Sequence, residues 1–235
     1  MHERLLGALP RLSAPRVIDA GCGLGGTTLY LHARVGGSYD GLTLSPTQRA
    51  RAAREAQRRG RAVAGSCRFH VRSYDDDVRD LVPQGADLIV AIESLAHSPD
   101  PARTIGNLAR GLRPGGSLAV IDDVPADELR DDDPDFMGFK EGWHALHLAR
   151  AGALDGALRG ADLQVVRDED LTPLVILRDP AARERRARMS GALKRVLGRS
   201  AAGQLTDALH GGMMLERLYG RGLMRYKLLV ARRAG

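Results

Sequence analysis

A glycine-rich turn between a predicted strand and a predicted helix limits the fold of this chain more than any other stretch. Residues 16–20 are mainly apolar with β-branched side chains, and residues 27–34 have the composition of a helix. Glycine occupies positions 21, 23, 25 and 26 between them. Glycines let a ligand press against bare backbone, and the helix N-terminus behind them offers free N–H groups and a partial positive charge. The order strand, tight turn, helix therefore predicts a nucleotide-sized binding place.

The spacing of the glycines indicates which ligand the turn takes. The letters D-A-G-C-G-L-G-G do not follow G-x-G-x-x-G, and no G-K-[ST] comes after them, so the dinucleotide fingerprint and the phosphate loop are both unmatched. The run resembles motif I of class I S-adenosylmethionine-dependent methyltransferases, in which an acidic residue leads into G-x-G-x-G. The resemblance implies that Gly21, Gly23 and Gly25 lie against the methionine part of S-adenosyl-L-methionine. It also implies that Asp19 braces the turn. The structural alternative is a glycine turn that binds no ligand and only packs the helix against the strand.

A second motif, G-L-T-L-S-P-T-Q, spans the end of the next predicted strand, residues 37–44, and the start of a helix. Ser45, Pro46 and Gln48 have the spacing of a capping box, which specifies where that helix begins. Most class I methyltransferases end this strand with an acidic residue that takes the ribose hydroxyls. The letters here instead resemble the subgroup of sterol, tocopherol and geranyl diphosphate C-methyltransferases and the cyclopropane synthases. This resemblance implies a ribose border made of Thr43, Leu44, Ser45 and Gln48, with capping alone as the alternative role of the glutamine.

Three further strands are predicted in the first half of the chain, over residues 69–74, 87–92 and 117–122. The strand predicted over residues 87–92, D-L-I-V-A-I, is apolar enough for the middle of a parallel sheet. In the methyltransferase family the end of the strand that corresponds to residues 69–74 reaches the adenine. Three neighbouring residues are therefore candidates for the adenine site: Ser73, Tyr74 and Asp75.

Glu93 follows the predicted strand over residues 87–92 directly. Ligands of open α/β sheets bind outside the carboxyl ends of the strands, so chemistry is expected there. Methyl addition to an alkene leaves a carbocation, which a carboxylate stabilises and then deprotonates. The segment A-I-E-S-L-A-H-S-P-D resembles that of sterol and terpenoid C-methyltransferases, where a glutamate has this role. Glu93 and His97 are therefore the candidate catalytic residues. For the glutamate, the alternative is an ordinary hydrogen bond at the end of the strand. For the histidine, ordering the loop is the commoner role.

An aromatic stripe is the second candidate feature of an acceptor site. Phe136, Phe139 and Trp143 fall at i, i+3 and i+7, and the whole chain has only nine aromatic residues. We expect these rings to bind the substrate, with Tyr30 and Tyr226 as further candidates. Ordinary core packing is an equal alternative for the stripe.

The complete pattern predicts one α/β domain over residues 1–235, with a cofactor-binding half at 1–124 and a substrate-cover half at 125–235. The expected fold is a Rossmann-like, seven-stranded methyltransferase sheet whose last strand, residues 224–232, is antiparallel. Helical segments on both sides of a sixth strand, residues 163–168, would cover the active site. Two cysteines make no disulfide framework.

Charge and composition limit the partners. The net charge of +6 comes from arginines that are not interleaved with stacking aromatics, so a small-molecule substrate is expected and nucleic acid is not. No membrane span or secretory signal is evident, so a cytoplasmic protein with no membrane partner is expected. The sequence leaves the oligomeric state open, with a homodimer among the possible states. The DDxxD patterns at 76–80 and 131–135 are best explained as solvated loops. Only a diphosphate substrate would bring Mg²⁺ as a second cofactor, and no protein metal site is predicted.

The function expected from this resemblance is S-adenosyl-L-methionine-dependent methylation of a small apolar metabolite. Carbon methylation of an isoprenoid or terpenoid-type alkene, through a carbocation, is the leading form. The alternatives are O- or N-methylation of a secondary metabolite and a cofactor-binding cyclase on the same fold.

Overall fold

The computed structural model describes residues 1–145, 147–197 and 201–235, with the backbone alone at residues 197 and 201–204. Within these ranges the strands form one seven-stranded sheet. In chain order they are β1 (Arg16–Ala20), β2 (Ser38–Thr43), β3 (Cys67–Val71), β4 (Ala86–Ile92), β5 (Leu112–Pro125), β6 (Leu163–Asp170) and β7 (Met224–Arg233). The helices are α1 (His2–Ala8), α2 (Gly26–Val35), α3 (Pro46–Arg58), α4 (Arg61–Ser66), α5 (Pro101–Gly111), α6 (Pro134–Trp143), α7 (Ala151–Gly160), α8 (Pro180–Leu197) and α9 (Ala201–Gly220).

The strand order is β3-β2-β1-β4-β5-β7-β6. The first five strands of this order are parallel, and β7 is antiparallel to both of its neighbours. The predicted seven-stranded α/β sheet with an antiparallel last strand is therefore confirmed. The order reverses direction between β1 and β4, and this switch point is where open parallel sheets bind ligands.

Two apolar cores lie on opposite faces of the sheet. On one face α5 and α7 pack with residues such as Leu108 and Leu158. On the other face α1, α2 and α3 contribute residues such as Leu5 and Leu31. A third core joins α6, α8 and α9 next to the start of β7, and these three helices are called the cover below. The sheet is thus buried on both faces, as its continuous apolar strands require.

Two strand boundaries differ from the predicted ones by three or more residues, and one helix was not predicted. Strand β3 ends at Val71, not residue 74, because the chain turns at Ser73, whose hydroxyl accepts the backbone N–H of Asp75. Strand β5 begins at Leu112, which pairs with Ala86 ahead of a bulge. A short helix, α4, was not predicted and follows a glycine with φ 117° at position 60. Within the described ranges, none of the helices combines the length and apolar character that crossing a bilayer requires.

Candidate active site

A cleft of about 340 Å³ opens at the carboxyl ends of β1, β2 and β4. Its position is the switch point of the sheet, where parallel strands diverge and their ends leave a crevice. Each contributing strand brings the residues that directly follow it. The lining consists of Gly21, Gly23, Leu42, Thr43, Leu44, Ser45, Gln48, Arg72, Tyr74, Glu93, Ser94 and His97.

The floor of the cleft is the turn after β1. Gly21 has φ 91°, and a Cβ atom there would lie 2.5 Å from the Cβ of Ser94. Gly23 has φ 53°, and a Cβ there would meet no atom within 4 Å, so its space belongs to the cleft. Gly25 has a packing role, because a Cβ there would approach the ring of Phe69 to 2.8 Å. Only backbone therefore faces the ligand at the first two of these glycines.

Asp19 holds this turn onto α2 without lining the cleft. Its buried carboxylate accepts hydrogen bonds from the backbone N–H of Thr28 at 3.1 Å and from the hydroxyl of the same residue at 2.6 Å. Burial raises the pKa of Asp19 to about 6, and the two hydrogen bonds oppose that rise. The carboxylate therefore fixes the position of the helix N-terminus relative to the strand.

The end of β2 forms one wall of the cleft. Thr43 donates a hydrogen bond to Oε1 of Gln48 at 2.7 Å, and Ser45 caps α3 by accepting the backbone N–H of Gln48 at 3.3 Å. The predicted capping residue is therefore present, but the glutamine side chain reaches Thr43 and does not return to the cap. Leu44 is 74% exposed beside this pair, which leaves an apolar surface at the lip of the cleft.

The segment after β3 forms the opposite wall. Tyr74 lines the cleft and donates its hydroxyl to the backbone carbonyl of Ser94 at 2.7 Å. Ser73 and Asp75 do not line the cleft, because they bond to each other and Asp75 also accepts the hydroxyl of Thr104. The early end of β3 explains this difference, since it leaves the three predicted residues in a turn.

A second cavity, here called the chamber, has a volume of about 300 Å³. Its walls come from the ends of β4 and β5, from β7, from the cover and from the segment after β6. The lining consists of Met1, Glu93, Asp123, Trp143, Leu171, Leu174, Val175, Leu215, Tyr219 and Tyr226. Among the described side chains that line it, none is a lysine or an arginine.

Glu93 lines both the cleft and the chamber. Its backbone has φ 50°, which is uncommon outside glycine, and its N–H donates to the carbonyl of Ile121 at 2.8 Å. The hydroxyl of Tyr226 donates to Oε1 of Glu93 at 2.7 Å. The carboxylate is thereby fixed at the boundary between the two cavities.

Two aspartates near the end of β5 complete an acidic edge that was not predicted from the sequence. Asp122 is buried and accepts the backbone N–H of Ala96 at 3.1 Å. Burial, and then the charge of Asp123, raise the pKa of Asp122 to about 7. Desolvation raises the pKa of Asp123 to about 6, and this residue accepts the hydroxyl of Tyr219. The letters D-D-V-P at the end of a strand were the available signal, because strand ends carry the site.

A family model described as a methyltransferase domain matches residues 18–118, which contain every wall of the cleft. Residues 18–118 are therefore similar to methyltransferase domains. Tocopherol O-methyltransferase of Arabidopsis thaliana is 35% identical over 111 residues, which cover 45% of this chain and 29% of that protein. Sterol 24-C-methyltransferase of Aspergillus fumigatus is 26% identical over 163 residues, which cover 66% of this chain and 41% of that protein.

The fold of this chain is also that of solved methyltransferase structures. A geranyl diphosphate methyltransferase in complex with SAM has a TM-score of 0.74 to it at 19% identity, over 99% of this chain and 84% of that chain. The sequence matches to the two curated relatives cover less than half of each relative's length. The tocopherol relative is an O-methyltransferase by name, so the expected subgroup contains both carbon and oxygen acceptors.

The residues that line the cleft fit S-adenosyl-L-methionine, the cofactor of the family that the model describes. Open space over the Cβ position of Gly23 admits a ligand against the backbone, as the methionine arm requires. The hydroxyl of Thr43 and the amide of Gln48 are polar groups that suit ribose hydroxyls. The ring of Tyr74 and the apolar Leu44 supply surfaces that suit a flat base.

The structure divides the predicted acceptor residues into two groups. Trp143 and Tyr226 line the chamber, whereas Phe136 and Phe139 are buried in the third core, so the structure assigns these two rings to packing. All three positions face α9, because Trp143 also donates its indole N–H to the carbonyl of Ala208 on that helix at 3.0 Å, but only Trp143, the last residue of α6, reaches the chamber. Tyr30 lines neither cavity, and its ring stacks on that of His2 in α1 at 4.6 Å. His97 lines the cleft and not the chamber.

Arginines pair with most of the acidic residues in both DDxxD patterns. In the first pattern Asp77 pairs with Arg79, and Asp80 pairs with Arg72. In the second pattern the pairs are Asp131 with Arg150, Asp132 with Arg130, and Asp135 with Arg217 and Arg221. Across the described part of the chain, no three His, Cys, Asp or Glu side chains form a group able to hold a metal ion.

Proposed function

We propose that this protein transfers a methyl group from S-adenosyl-L-methionine to a small apolar acceptor in the chamber, at an alkene carbon of isoprenoid type. The observation that carries the proposal is the position of Glu93, which borders the cofactor cleft and the acceptor chamber together. A carboxylate at that boundary faces the point where a methyl group passes from one cavity to the other.

The cleft residues would hold and orient the cofactor. The backbone at Gly21 and Gly23 would receive the methionine arm, Thr43 and Gln48 the ribose, and Tyr74 the base. When bound, the cofactor supplies an electrophilic methyl group on a sulfonium. The tight packing of Gly21 against Ser94 would keep the floor of the cleft rigid.

The chamber suits an alkene that becomes a cation. After its double bond has attacked the methyl group, the positive charge would lie beside the carboxylate of Glu93 and the rings of Trp143 and Tyr219. Glu93 would then accept the proton that restores the double bond. The hydrogen bond from Tyr226 would hold the carboxylate in place until the acceptor enters.

The charge of the chamber favours an uncharged acceptor. Two carboxyl groups, Glu93 and Asp123, face it, and no arginine or lysine is among its described lining residues. A diphosphate group would therefore meet repulsion unless cations accompany it, and the remaining walls are mainly leucine, valine and aromatic. We therefore propose an isoprenoid without a diphosphate, which removes the reason for Mg²⁺ as a second cofactor.

Oxygen methylation is the second candidate function. It is favoured by the 35% identity to a tocopherol O-methyltransferase and by the hydrogen bond between Tyr226 and Glu93. With a phenol or quinol in the chamber, the same carboxylate would accept the hydroxyl proton.

A labelled-cofactor assay tests these proposals. Purified protein is incubated with methyl-labelled S-adenosyl-L-methionine and with isoprenoid alkenes, isoprenyl diphosphates, quinols and phenols. Label on carbon of an uncharged alkene is the expected result. Label on oxygen would move the assignment to the second candidate, and cofactor binding without labelled product from any acceptor would contradict methyl transfer to these classes and favour a cyclase on the same fold.

Glu93→Gln is the decisive variant for the role of the carboxylate. We expect turnover to fall by about 100-fold or more, because the amide neither balances a cation nor accepts its proton. Affinity for the cofactor should change little, since the amide keeps the size of the side chain. The matched control is Glu128→Gln, an exposed glutamate outside both cavities. Turnover of the Glu93 variant within a few-fold of the control would remove this residue from the mechanism.

A further inference from the structure

Helix α8 packs on α9 through its small residues. Ala187 is buried in the third core, the hydroxyl of Ser190 lies 2.9 Å from Nδ1 of His210, and a Cβ at Gly191 would lie 3.4 Å from the same ring. Lys194, one turn further along, pairs with Asp207. These positions share one side of the helix, because they recur at intervals of three and four residues.

The large apolar residues of α8 lie on the opposite side. Met189 is 65% exposed, Leu193 is 46% exposed and Val196 is 81% exposed, and they follow the spacing i, i+4, i+7. These three residues are called the outer stripe. An amphipathic helix of a globular protein normally points its large apolar residues inward, and α8 does the reverse. Just before α8, Ile176 is 96% exposed as well.

Arginines flank the outer stripe on both sides. Arg185 and Arg186 precede it, and Arg188 and Arg195 lie beside it, all exposed. Arg188 is 3.5 Å from Glu184, whereas Arg185, Arg186 and Arg195 have no ion pair with any described acidic residue. An apolar stripe with cations along both edges matches the boundary between lipid headgroups and acyl chains.

We propose that α8 docks on an anionic lipid surface. The outer stripe would enter the region below the headgroups, and the arginines would contact lipid phosphates. The chain's net charge of +6 draws it to the same surface. The docked helix would itself stay outside the chamber, whose wall from this side comes from α9, the helix on which α8 packs.

Charge distinguishes lipid from a second copy of the chain as the occupant. In a two-fold symmetric dimer the same face meets itself, so the arginines at the edges of one stripe would face those of the other. Such like-charge contacts disfavour the pair. An anionic surface removes that repulsion and covers the apolar residues at the same time.

Sedimentation with vesicles tests the proposal without any need for turnover, so it is independent of the proposed function. Vesicles of phosphatidylcholine alone are compared with vesicles that also contain phosphatidylglycerol. We expect binding to the anionic vesicles to be about tenfold or more stronger and to weaken as salt is added. Equal binding to both, or none to either, would overturn the proposal.

Two pairs of variants separate insertion from simple charge attraction. Leu193→Ser with Val196→Ser should weaken binding to anionic vesicles about tenfold, whereas Val166→Ser, which changes an exposed valine on β6, should not. Arg185→Glu with Arg188→Glu should weaken binding more than Arg51→Glu with Arg54→Glu on α3, at the same change of net charge. All of these residues are exposed, so melting temperatures should be unchanged.

Three results would contradict this assignment. Serine variants of the stripe that bind like the unmodified protein would mean that nothing inserts. Arginine variants on α8 and α3 with equal losses would reduce the effect to net charge. The third result has two parts: light scattering shows a dimer that Leu193→Ser dissociates, and the stripe variants still bind vesicles. This result would assign the face to a second copy of the chain.

Discussion

The cleft and the chamber share Glu93 but are constructed differently. The cleft is defined by backbone, since its floor is the turn at Gly21 and Gly23 and its walls are residues that directly follow strands. The chamber is defined by side chains from distant parts of the chain, among them Trp143, Leu215 and Tyr226. A backbone-defined site is specified by a short contiguous motif, whereas a side-chain-defined site depends on how each helix is rotated.

The strongest test of this difference compares two rings on α6. Phe139 is fully buried in the third core, so Phe139→Ala should cost about 3–5 kcal/mol and lower the melting temperature by about 10 °C. Trp143 lines the chamber and is 37% exposed, so Trp143→Ala should cost less than half as much. The measurements are calorimetric melting and the KM for the acceptor.

The expected pattern is that Trp143→Ala changes the acceptor KM and Phe139→Ala does not, once both are assayed below their melting temperatures. If the two variants lose equal stability and keep the same KM, Trp143 belongs to the core. The chamber would then lack its only wall from α6.

The sequence allowed more to be predicted for the cleft than for the chamber. Gly21, Gly23, Thr43 and Gln48 were identified because each lies within a few residues of a strand end in a recognisable motif. Phe136 and Phe139 were assigned to the acceptor because helical spacing shows which residues share a face but not what that face contacts.

Asp123 and Tyr219 were missed for a related reason. They come from β5 and α9, 96 residues apart, and only tertiary packing brings the phenol to the carboxylate. The outer stripe of α8 was missed as well, since a helix with large apolar residues outside and small ones inside has the composition of an ordinary amphipathic helix.

The next test addresses the backbone floor of the cleft. In Gly21→Ala the new Cβ would overlap the Cβ of Ser94, which is buried and anchored by its hydroxyl to the carbonyl of Ala20 at 2.7 Å. Since the residue also has a positive φ, the loop must shift, and we expect cofactor affinity to fall about 100-fold. Titration calorimetry with S-adenosyl-L-methionine measures this loss.

Gly65→Ala is the control for that variant, because a Cβ at this position in α4 meets no atom within 4 Å. It should bind the cofactor as the unmodified protein does. Unchanged cofactor affinity in Gly21→Ala would mean that the floor of the cleft tolerates a side chain, and the contrast between the two cavities would be lost.

The smallest expected effect concerns the acidic edge of the chamber. Because the folded protein raises the pKa of Asp123 from 3.8 to about 6, the native state binds this proton more tightly than the unfolded chain does. The stabilisation of the folded state by this proton is fully present below about pH 4 and is lost as the pH rises through about 6. Asp123→Asn keeps an oxygen that can accept the hydroxyl of Tyr219 but removes the charge.

The variant should therefore be more stable than the unmodified protein at about pH 8 and equal to it at about pH 4. A pKa shift of two units would correspond to about 3 kcal/mol in the free energy of unfolding. Part of this carboxyl group reaches the open chamber, where water screens its charge. We therefore expect a difference of roughly 1 kcal/mol, or about 3 °C in melting temperature. Calorimetry at both pH values measures the difference, with Asp127→Asn as the exposed control. A gain of the same size at both pH values would show that packing, and not ionisation, distinguishes the asparagine, and would contradict a raised pKa of Asp123.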